Sequence, residues 1–367
     1  MEDLTVGHFI AMLGFGLGML FGAVAHRTHF CTMGAISDIV FMGNWNRFRA
    51  WMLATAVAIL GSQYLYQTDV IDLSRAIYLT PNFGWFGAIL GGLIFGFGMT
   101  LGSGCGNKTL VRLGGGNLKS LVVLIFLGIF AYMTLRGLLG LARVQMELMT
   151  MVDLRESGFK TQGIPEILAS LFSLPLEAVS IAASVVIGGG LVLFAFKSAE
   201  FRSSTRDMAA GIIIGLLVIA AWYVTGVVGN DDFEPVQMAS FTFIAPSGDS
   251  LQYLMTFSGA TINFGIAAIG GVIVGSFLTS VASKQFHIEA FTDSGDMLRH
   301  ISGGTLMGIG GVLALGCTVG QGITGMSTLA VGSLMALLSI FAGGLYGMKY
   351  LEEGSFGGAL KAMFARG

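Results

Sequence analysis

Charged side chains are scarce in this sequence. Lysine, arginine, aspartate and glutamate make up 11% of its 367 residues, whereas a soluble domain carries roughly 25%. Hydrophobic residues make up 54% and the mean hydropathy is +0.79, so most of the surface is expected to face lipid. The net charge of −2 is too small to indicate a nucleic acid or another polyanion as partner. The composition therefore predicts an all-α polytopic membrane protein.

Proline is also scarce, with 5 residues, whereas glycine is abundant, with 56. Glycine lets apolar helices approach closely, and Gly-rich breaks allow non-helical backbone at membrane depth where protein covers it. The sequence lacks a phosphate-binding GxxxxGK[ST] loop, so we expect no ATP hydrolysis by this chain. The first residues lack the positive segment of a cleavable signal peptide, and the first apolar run is expected to be a helix.

Cysteine is rarer still, and its positions are the most informative feature of the chain. The three cysteines are Cys31, Cys105 and Cys317, in the segments HFCTMG, GSGCGN and LGCTVG. An odd number argues against a complete disulfide framework. A single cysteine at such a place is often a small buried hydrophobe. Three of them, each at a break between an apolar run and glycines, indicate sulfur chemistry at membrane depth.

About nine apolar runs are long enough to cross the roughly 30 Å of a bilayer's hydrocarbon core. The first and eighth are short and end at cysteine-containing breaks, so discontinuous or re-entrant helices are expected there and after the third. Lysine and arginine divide fourteen to five between the two sets of loops, which predicts an outside N-terminus and a cytoplasmic C-terminus. The runs span residues 8–25, 47–66, 84–102, 118–140, 177–196, 208–229, 258–282, 301–316 and 332–350.

Two polar segments interrupt these runs. Residues 141–176 are expected to form a solvated loop or an interfacial helix. Residues 230–252 contain four acidic side chains and no lysine or arginine. This second segment is expected to be an exposed loop on the non-cytoplasmic side.

The chain also contains an internal repeat. GGLIFGFGMTLGSGCGN, from Gly91, matches GGTLMGIGGVLALGCTV, from Gly303, with six identities at glycine or cysteine that include Cys105 with Cys317, and Leu101 falls on Leu313. The copies begin on the third and eighth runs, and an offset of five crossings reverses direction, as in the inverted repeats of secondary transporters. A weaker, gapped match pairs Cys31 with His287. We expect one transport domain over residues 1–367, comprising repeat 1 (about 8–140), an insert (141–176), repeat 2 (about 177–350) and a cytoplasmic tail (351–367).

The residues around the breaks fit a small anion. Glycine turns and a following helix N-terminus present backbone N–H groups, and Lys108 and Arg112 share a face if that piece is helical. These two cations are equally well explained as a positive-inside loop. The counterpart at Cys317 is uncharged, which suggests one charged entrance and one neutral constriction. The candidate supporting residues are Gly104, Gly106, Asn107, Lys108, Arg112, Gly316, Thr318, Gln321, Arg27 and His29.

Neither a metal nor another cofactor is expected. HxxH beside a single cysteine lacks a standard zinc spacing, and the methionines are scattered. No intramembrane carboxylate is convincingly placed for proton coupling, and Asp38 is the nearest candidate.

The sequence resembles the YeeE/YedE family of sulfur-transport membrane proteins. The matching features are RxxFC at Arg27 to Cys31, GxGC at Gly102 to Cys105, the return GGGNLKSL, and the second break at Gly316-Cys317. The resemblance implies thiosulfate uptake, without enzymatic activity, through an hourglass-shaped bacterial inner-membrane protein in which Cys31, Cys105 and Cys317 line a narrow path. It further implies passage by S–H···S hydrogen bonds and delivery to a separate TusA-like sulfurtransferase.

Two alternatives remain open from the residues. Some relatives are associated with selenium compounds rather than thiosulfate. A persulfide-forming relay is the other alternative, with Cys105 beside Lys108 as its best candidate because a nearby cation favours a thiolate. A purely structural membrane anchor leaves the paired cysteine breaks unexplained.

Overall fold

The structure, a computed structural model, describes residues 5–231 and 236–364, and this part of the chain is almost entirely helical. Nine of its helices have 17 to 23 residues. They are α1 (Val6–Thr28), α3 (Asn46–Gln67), α4 (Trp85–Leu101), α6 (Leu118–Leu135), α9 (Leu176–Phe196), α11 (Thr205–Tyr223), α13 (Phe264–Ala282), α14 (Ser294–Leu313) and α15 (Val331–Glu353).

Shorter helices connect the long ones. They are α2 (Thr32–Met42), α5 (Gly106–Gly114), α7 (Leu138–Thr150), α8 (Ile164–Phe172), α10 (Ala199–Ser203), α12 (Ala245–Met255) and α16 (Phe356–Phe364). Val224–Val228 and Gly320–Gly325 are π-helical turns, and the second is the middle of a short helix over residues 318–327. Two-residue strands β1 (Asn82–Phe83) and β2 (Val152–Asp153) pair antiparallel, and single 3₁₀ turns lie at Leu73–Arg75, Ile77–Leu79, Leu154–Ser157 and Phe257–Gly259.

Each of the nine predicted crossings coincides with one long helix. Within the described ranges, seven helical segments are both long and apolar enough to span a bilayer. Helices α3 and α14 have the length but fall outside this group. The first and eighth crossings were expected to be short, and this was wrong. Helix α14 starts at Ser294, in a polar stretch that hydropathy had assigned to the preceding connection.

Glycine contacts fix the relative directions of the long helices. A methyl group at Gly18 or Gly22 of α1 would collide with the backbone of Ala268 or Val272 of α13. The residue later in α1 meets the residue later in α13, so the two helices run parallel. They pack at the close distance that glycine permits. Glycines on α11 pack in the same way against α3, again in parallel.

The two helices that precede Cys105 and Cys317 cross in opposite directions. Gly98 of α4 lies against Met307 of α14, whereas Gly91, which comes earlier in α4, lies against Gly310, which comes later in α14. The two helices are therefore antiparallel. Helix α1 likewise runs antiparallel to α11, because Arg206 at the start of α11 donates a hydrogen bond to the carbonyl of Arg27 at the end of α1. The same order of long, short, long, long, short and long helices thus occurs twice, first from α1 to α6 and then from α11 to α15, where the short helix 318–327 is the fifth element. Corresponding helices of the two runs point in opposite directions.

The segment around residues 230–252 differs from the expected exposed loop. Residues 238–244 lie in the interior, where Phe241, Phe243 and Ile244 are at most 1% exposed, and α12 follows. Hydroxyl groups satisfy its non-helical backbone: Thr324 donates to the carbonyl of Phe241 at 2.7 Å, and Thr225 to that of Ala239 at 2.6 Å. The acidic residues that suggested exposure lie outside this buried stretch, and two of them, Asp232 and Glu234, fall outside the described residues.

The insert at residues 141–176 is largely helical and is tied to the bundle. Strand β2 pairs with β1, and the side chain of Gln162 donates to the carbonyl of Thr80 at 3.1 Å. Gln162 also accepts a hydrogen bond from the backbone N–H of Gly332 at the start of α15. The insert therefore packs over the end of the bundle where α15 begins.

Candidate substrate path

Each cysteine lies at the start of a short helix in the interior. Cys31 caps α2, Cys105 caps α5, and Cys317 precedes the short helix 318–327. They are 3%, 0% and 0% exposed, and none forms a disulfide. A helix N-terminus carries unpaired N–H groups and partial positive charge, so each thiol sits where an anion is favoured.

The three breaks share one backbone turn. His29, Ser103 and Leu315 each stand two residues before a cysteine, and their φ values are 55°, 56° and 57°. This left-handed conformation is uncommon for residues other than glycine. At the second and third breaks, the amide groups of Gly104 and Gly316 bond back to the carbonyls of Met99 and Gly311 at 2.9 and 2.7 Å. The turn ends the long helix and directs the cysteine into the interior.

Two of the thiols form a pair. The sulfur atoms of Cys31 and Cys105 lie 3.8 Å apart. Cys105 donates its proton to Oδ1 of Asn107 at 2.6 Å, and Cys31 accepts from the backbone N–H of Gly34 at 3.4 Å. Since the Cys105 proton is engaged with Asn107, the Cys31 thiol is the donor between the two sulfur atoms. The pair is thus a chain of neutral hydrogen-bond donors.

Cys317 has a different, uncharged environment. Its sulfur accepts from the backbone N–H of Gly320 at 3.3 Å. The next residue, Thr318, is fully buried, and its hydroxyl has no hydrogen-bond partner among the described residues. Gln321 donates to the carbonyl of Ala314, while its Oε1 likewise has no partner within the described part of the chain. Buried unpaired polar atoms are costly, which marks this region as one that a ligand or water completes.

The predicted charged residues line two cavities next to the breaks at Cys31 and Cys105. Lys108 and Arg112, four residues apart on α5, both face a cavity of about 550 Å³ that also contains His29. We call this cavity the inner vestibule. Arg112 additionally donates to the carbonyl of Ser103 at 2.8 Å, which braces the break before Cys105. Arg27 lines a neighbouring cavity that shares His29.

The remaining candidate residues pack against other side chains, form an ion pair or lie at the rim of a cavity. Gly106 lies against Phe243 and Ile244, and Gly104 against the side chain of Lys108. Asp38 forms an ion pair with Arg47 at 3.2 Å. His287 lies at the rim of the inner vestibule. By the order of elements, the start of α12 at Ile244, and not His287, corresponds to the start of α2 at Cys31.

Two contributors to the interior were missed by sequence reasoning. Tyr78, in the connection between α3 and α4, is buried in the same hydrophobic cluster as Cys317. Phe243 lies against Gly106, the residue after Cys105, in a segment whose composition suggested a loop. Phe243 is recognised as a candidate only when the order of elements in the two runs is compared in the structure. Among the described residues, no group of three or more His, Cys, Asp or Glu side chains is arranged to hold a metal ion.

Oppositely directed long helices, each broken at a buried thiol, define a polytopic membrane transport protein. Residues 27–346 match the model of the family described as Sulphur transport, and the chain belongs to this YeeE/YedE family.

Its relatives include two thiosulfate transporters. The chain is 27% identical to thiosulfate transporter TsuA of Escherichia coli K12 over 323 residues, which cover 83% of this chain and 84% of the relative. It is 23% identical to TsuA of Spirochaeta thermophila over 319 residues, which cover 85% and 90%. It is 32% identical to the probable transporter YedE of E. coli K12, over only 28% of this chain and 23% of the relative.

Proposed function

We propose that this protein carries thiosulfate, or a closely related small sulfur anion, into the cytoplasm past Cys317, Cys105 and Cys31. The observation that carries the proposal is the buried pair of Cys31 and Cys105, whose sulfur atoms lie 3.8 Å apart at the starts of two helices. The similarity to two proteins named thiosulfate transporter supports the choice of substrate.

The chemistry of the residues supports passage without covalent bonding. A dianion crosses hydrocarbon only at great cost, so it needs donors along its way. Thiols, the hydroxyl of Thr318 and backbone N–H groups supply weak donors, which allow release as well as binding. The soft, polarisable thiols suit the terminal sulfur of thiosulfate better than an oxygen atom. The Cys105 thiol donates to Asn107 at 2.6 Å, which supports a role for this cysteine as a hydrogen-bond donor in passage without catalysis.

We assign the inner vestibule to the cytoplasmic side of a bacterial inner membrane. Lys108, Arg112, Arg27 and His29 lie at this end, in keeping with the positive-inside asymmetry. The N-terminus is then outside and the C-terminus cytoplasmic. A cationic cavity at the exit attracts the anion through the neutral section, and a separate TusA-like sulfurtransferase would receive it there. The two runs of six elements form the inverted repeat, and the insert 141–176, α9 and α10 lie between them.

Uptake of radiolabelled thiosulfate into proteoliposomes tests the proposal. The wild-type protein is expected to give uptake that unlabelled thiosulfate competes with and sulfate does not, whereas Cys105→Ala gives none. Full uptake by Cys105→Ala would contradict the proposal that thiosulfate passes along the thiols. Competition by selenium compounds instead of thiosulfate would transfer the substrate assignment to them. Mass spectrometry after thiosulfate exposure decides the mechanism, because a sulfur added to any cysteine would establish the persulfide relay in place of hydrogen-bonded passage.

A further inference from the structure

The two runs of elements contain four short helices in the described part of the chain, and three of these start at a cysteine. The first run of elements begins its short helices at Cys31 and Cys105. In the second run the corresponding starts are Ile244, which caps α12, and Cys317. The position that matches Cys31 is therefore occupied by a branched hydrocarbon side chain that is 1% exposed.

This apolar residue lies between the two cysteine breaks. A methyl group at Gly106, the residue after Cys105, would lie 3.4 Å from Cδ1 of Ile244 and 3.6 Å from Cβ of Phe243. On the other side, a methyl group at Gly311, whose carbonyl accepts a hydrogen bond from the amide of Gly316, would lie 2.7 Å from Cγ1 of Ile244. Ile244 thus packs against both cysteine breaks, and Phe243 packs against the break at Cys105.

We propose that Phe243 and Ile244 form a hydrophobic gate, closed in this structure, between Cys317 and the Cys31–Cys105 pair, and that it selects anions with a weakly hydrated sulfur end. Hydrophobic constrictions exclude ions by losing their water. An anion surrounded by oxygen atoms keeps its hydration shell and is stopped, whereas a terminal sulfur atom passes from one thiol to the next. The inference rests on the proposed function for its substrate, but the barrier itself does not depend on it.

The gate has a built-in means of movement. Two hydrogen bonds hold the segment that carries the gate. The hydroxyl of Thr324 donates to the carbonyl of Phe241, and the hydroxyl of Thr225 donates to the carbonyl of Ala239. Both threonines belong to the two π-helical turns, Gly320–Gly325 and Val224–Val228. Such turns occur often at functional sites, and shifting one to α-helical register moves its side chains. Phe21 of α1 packs on both Phe241 and Phe243, with ring centroids 5.0 and 5.3 Å apart. The segment is thus anchored at its hydroxyl contacts and enclosed by aromatic rings.

Sulfate influx into proteoliposomes tests the gate directly. Replacement of Ile244 by alanine, or by serine, removes the hydrocarbon that separates the breaks. We expect sulfate influx to rise about tenfold or more, as for a barrier lowered by ~1.4 kcal/mol, while thiosulfate uptake is kept. The control is Leu53→Ala, because Leu53 is equally buried but belongs to a separate cluster with Ala50, Ala195 and Phe201. That control should leave sulfate influx unchanged.

A second readout keeps the test independent of the substrate. In the wild type, a membrane-impermeant thiol reagent applied from the side of Cys317 should leave Cys105 unmodified, whereas in Ile244→Ala it should modify Cys105. Unchanged sulfate influx and unchanged Cys105 modification in folded Ile244→Ala and Ile244→Ser would overturn the gate. Absence of thiosulfate uptake by the wild type would overturn the proposed function, and the sulfate and labelling results would still decide the gate.

Discussion

The sulfur atoms of Cys31 and Cys105 lie 3.8 Å apart although the two residues are 74 positions apart in the chain. Each residue starts a short helix and follows a left-handed turn two positions earlier. The two helix N-termini therefore place their thiols against each other inside the bundle. A substrate that reaches one thiol is at once within reach of the second, which is the geometry that stepwise hydrogen-bonded passage needs.

Substitution of Cys105 by serine separates the need for a donor from the need for sulfur. The hydroxyl keeps a proton for Asn107 but is smaller and less polarisable than the thiol. We expect Cys105→Ser to take up thiosulfate more slowly than the wild type by about tenfold, or ~1.4 kcal/mol. We expect Cys105→Ala to have no measurable uptake. Initial rates in proteoliposomes, normalised to inserted protein, give the comparison. Equal rates for the serine and alanine variants would show that the donor is irrelevant.

Mild oxidation should join Cys31 to Cys105 and stop transport. A disulfide needs the sulfur atoms at about 2 Å, so a small displacement of either helix start is sufficient. We expect an oxidant to abolish uptake, a reductant to restore it, and peptide mass spectrometry to find the two cysteines linked. Cys317→Ser serves as a control for cross-linking, because Cys317 is not part of the pair and the link should still form. A link that involves Cys317 would contradict the geometry.

The sequence predicted the nine long helices because each carries an apolar run, and it predicted the breaks because cysteine and glycine coincide there. It did not predict the turns, since residues other than glycine rarely adopt the left-handed conformation, and Ser103 and Leu315 are not of the types enriched in it. It also missed the burial of residues 238–244. Their backbone is satisfied by Thr225 and Thr324, which are distant tertiary contacts invisible to local patterns.

The pairing of the thiols was equally beyond the sequence. The internal repeat joins Cys105 to Cys317 by symmetry, whereas the structure brings Cys105 next to Cys31. Symmetry relates equivalent positions without requiring contact. The weak match of Cys31 to His287 was wrong, because His287 lies in the connection between α13 and α14, whereas the order of elements places the start of α12 opposite Cys31.

The unpartnered hydroxyl of Thr318 provides a test that separates function from folding. A buried polar atom without a partner costs about 1–3 kcal/mol, so the isosteric Thr318→Val should leave the unfolding temperature unchanged or raise it. The same substitution should raise KM for thiosulfate, because it removes a donor. Thr324→Val is the matched control for stability. Its hydroxyl donates to the carbonyl of Phe241, so its loss should lower the unfolding temperature. Lower stability of Thr318→Val would indicate a structural role instead.

The inner vestibule should attract the anion chiefly through Lys108. Its half-buried side chain lines the vestibule just after Cys105 in the chain, whereas Lys284 lines the same cavity from an exposed position. Exposed charges are screened by salt within about 8–10 Å, and partly buried ones much less. We therefore expect Lys108→Gln to reduce thiosulfate uptake at both low and high ionic strength. Lys284→Gln should reduce uptake slightly, and only at low ionic strength. Initial rates at two salt concentrations measure both effects, and identical behaviour of the two variants would contradict a specific contribution of Lys108.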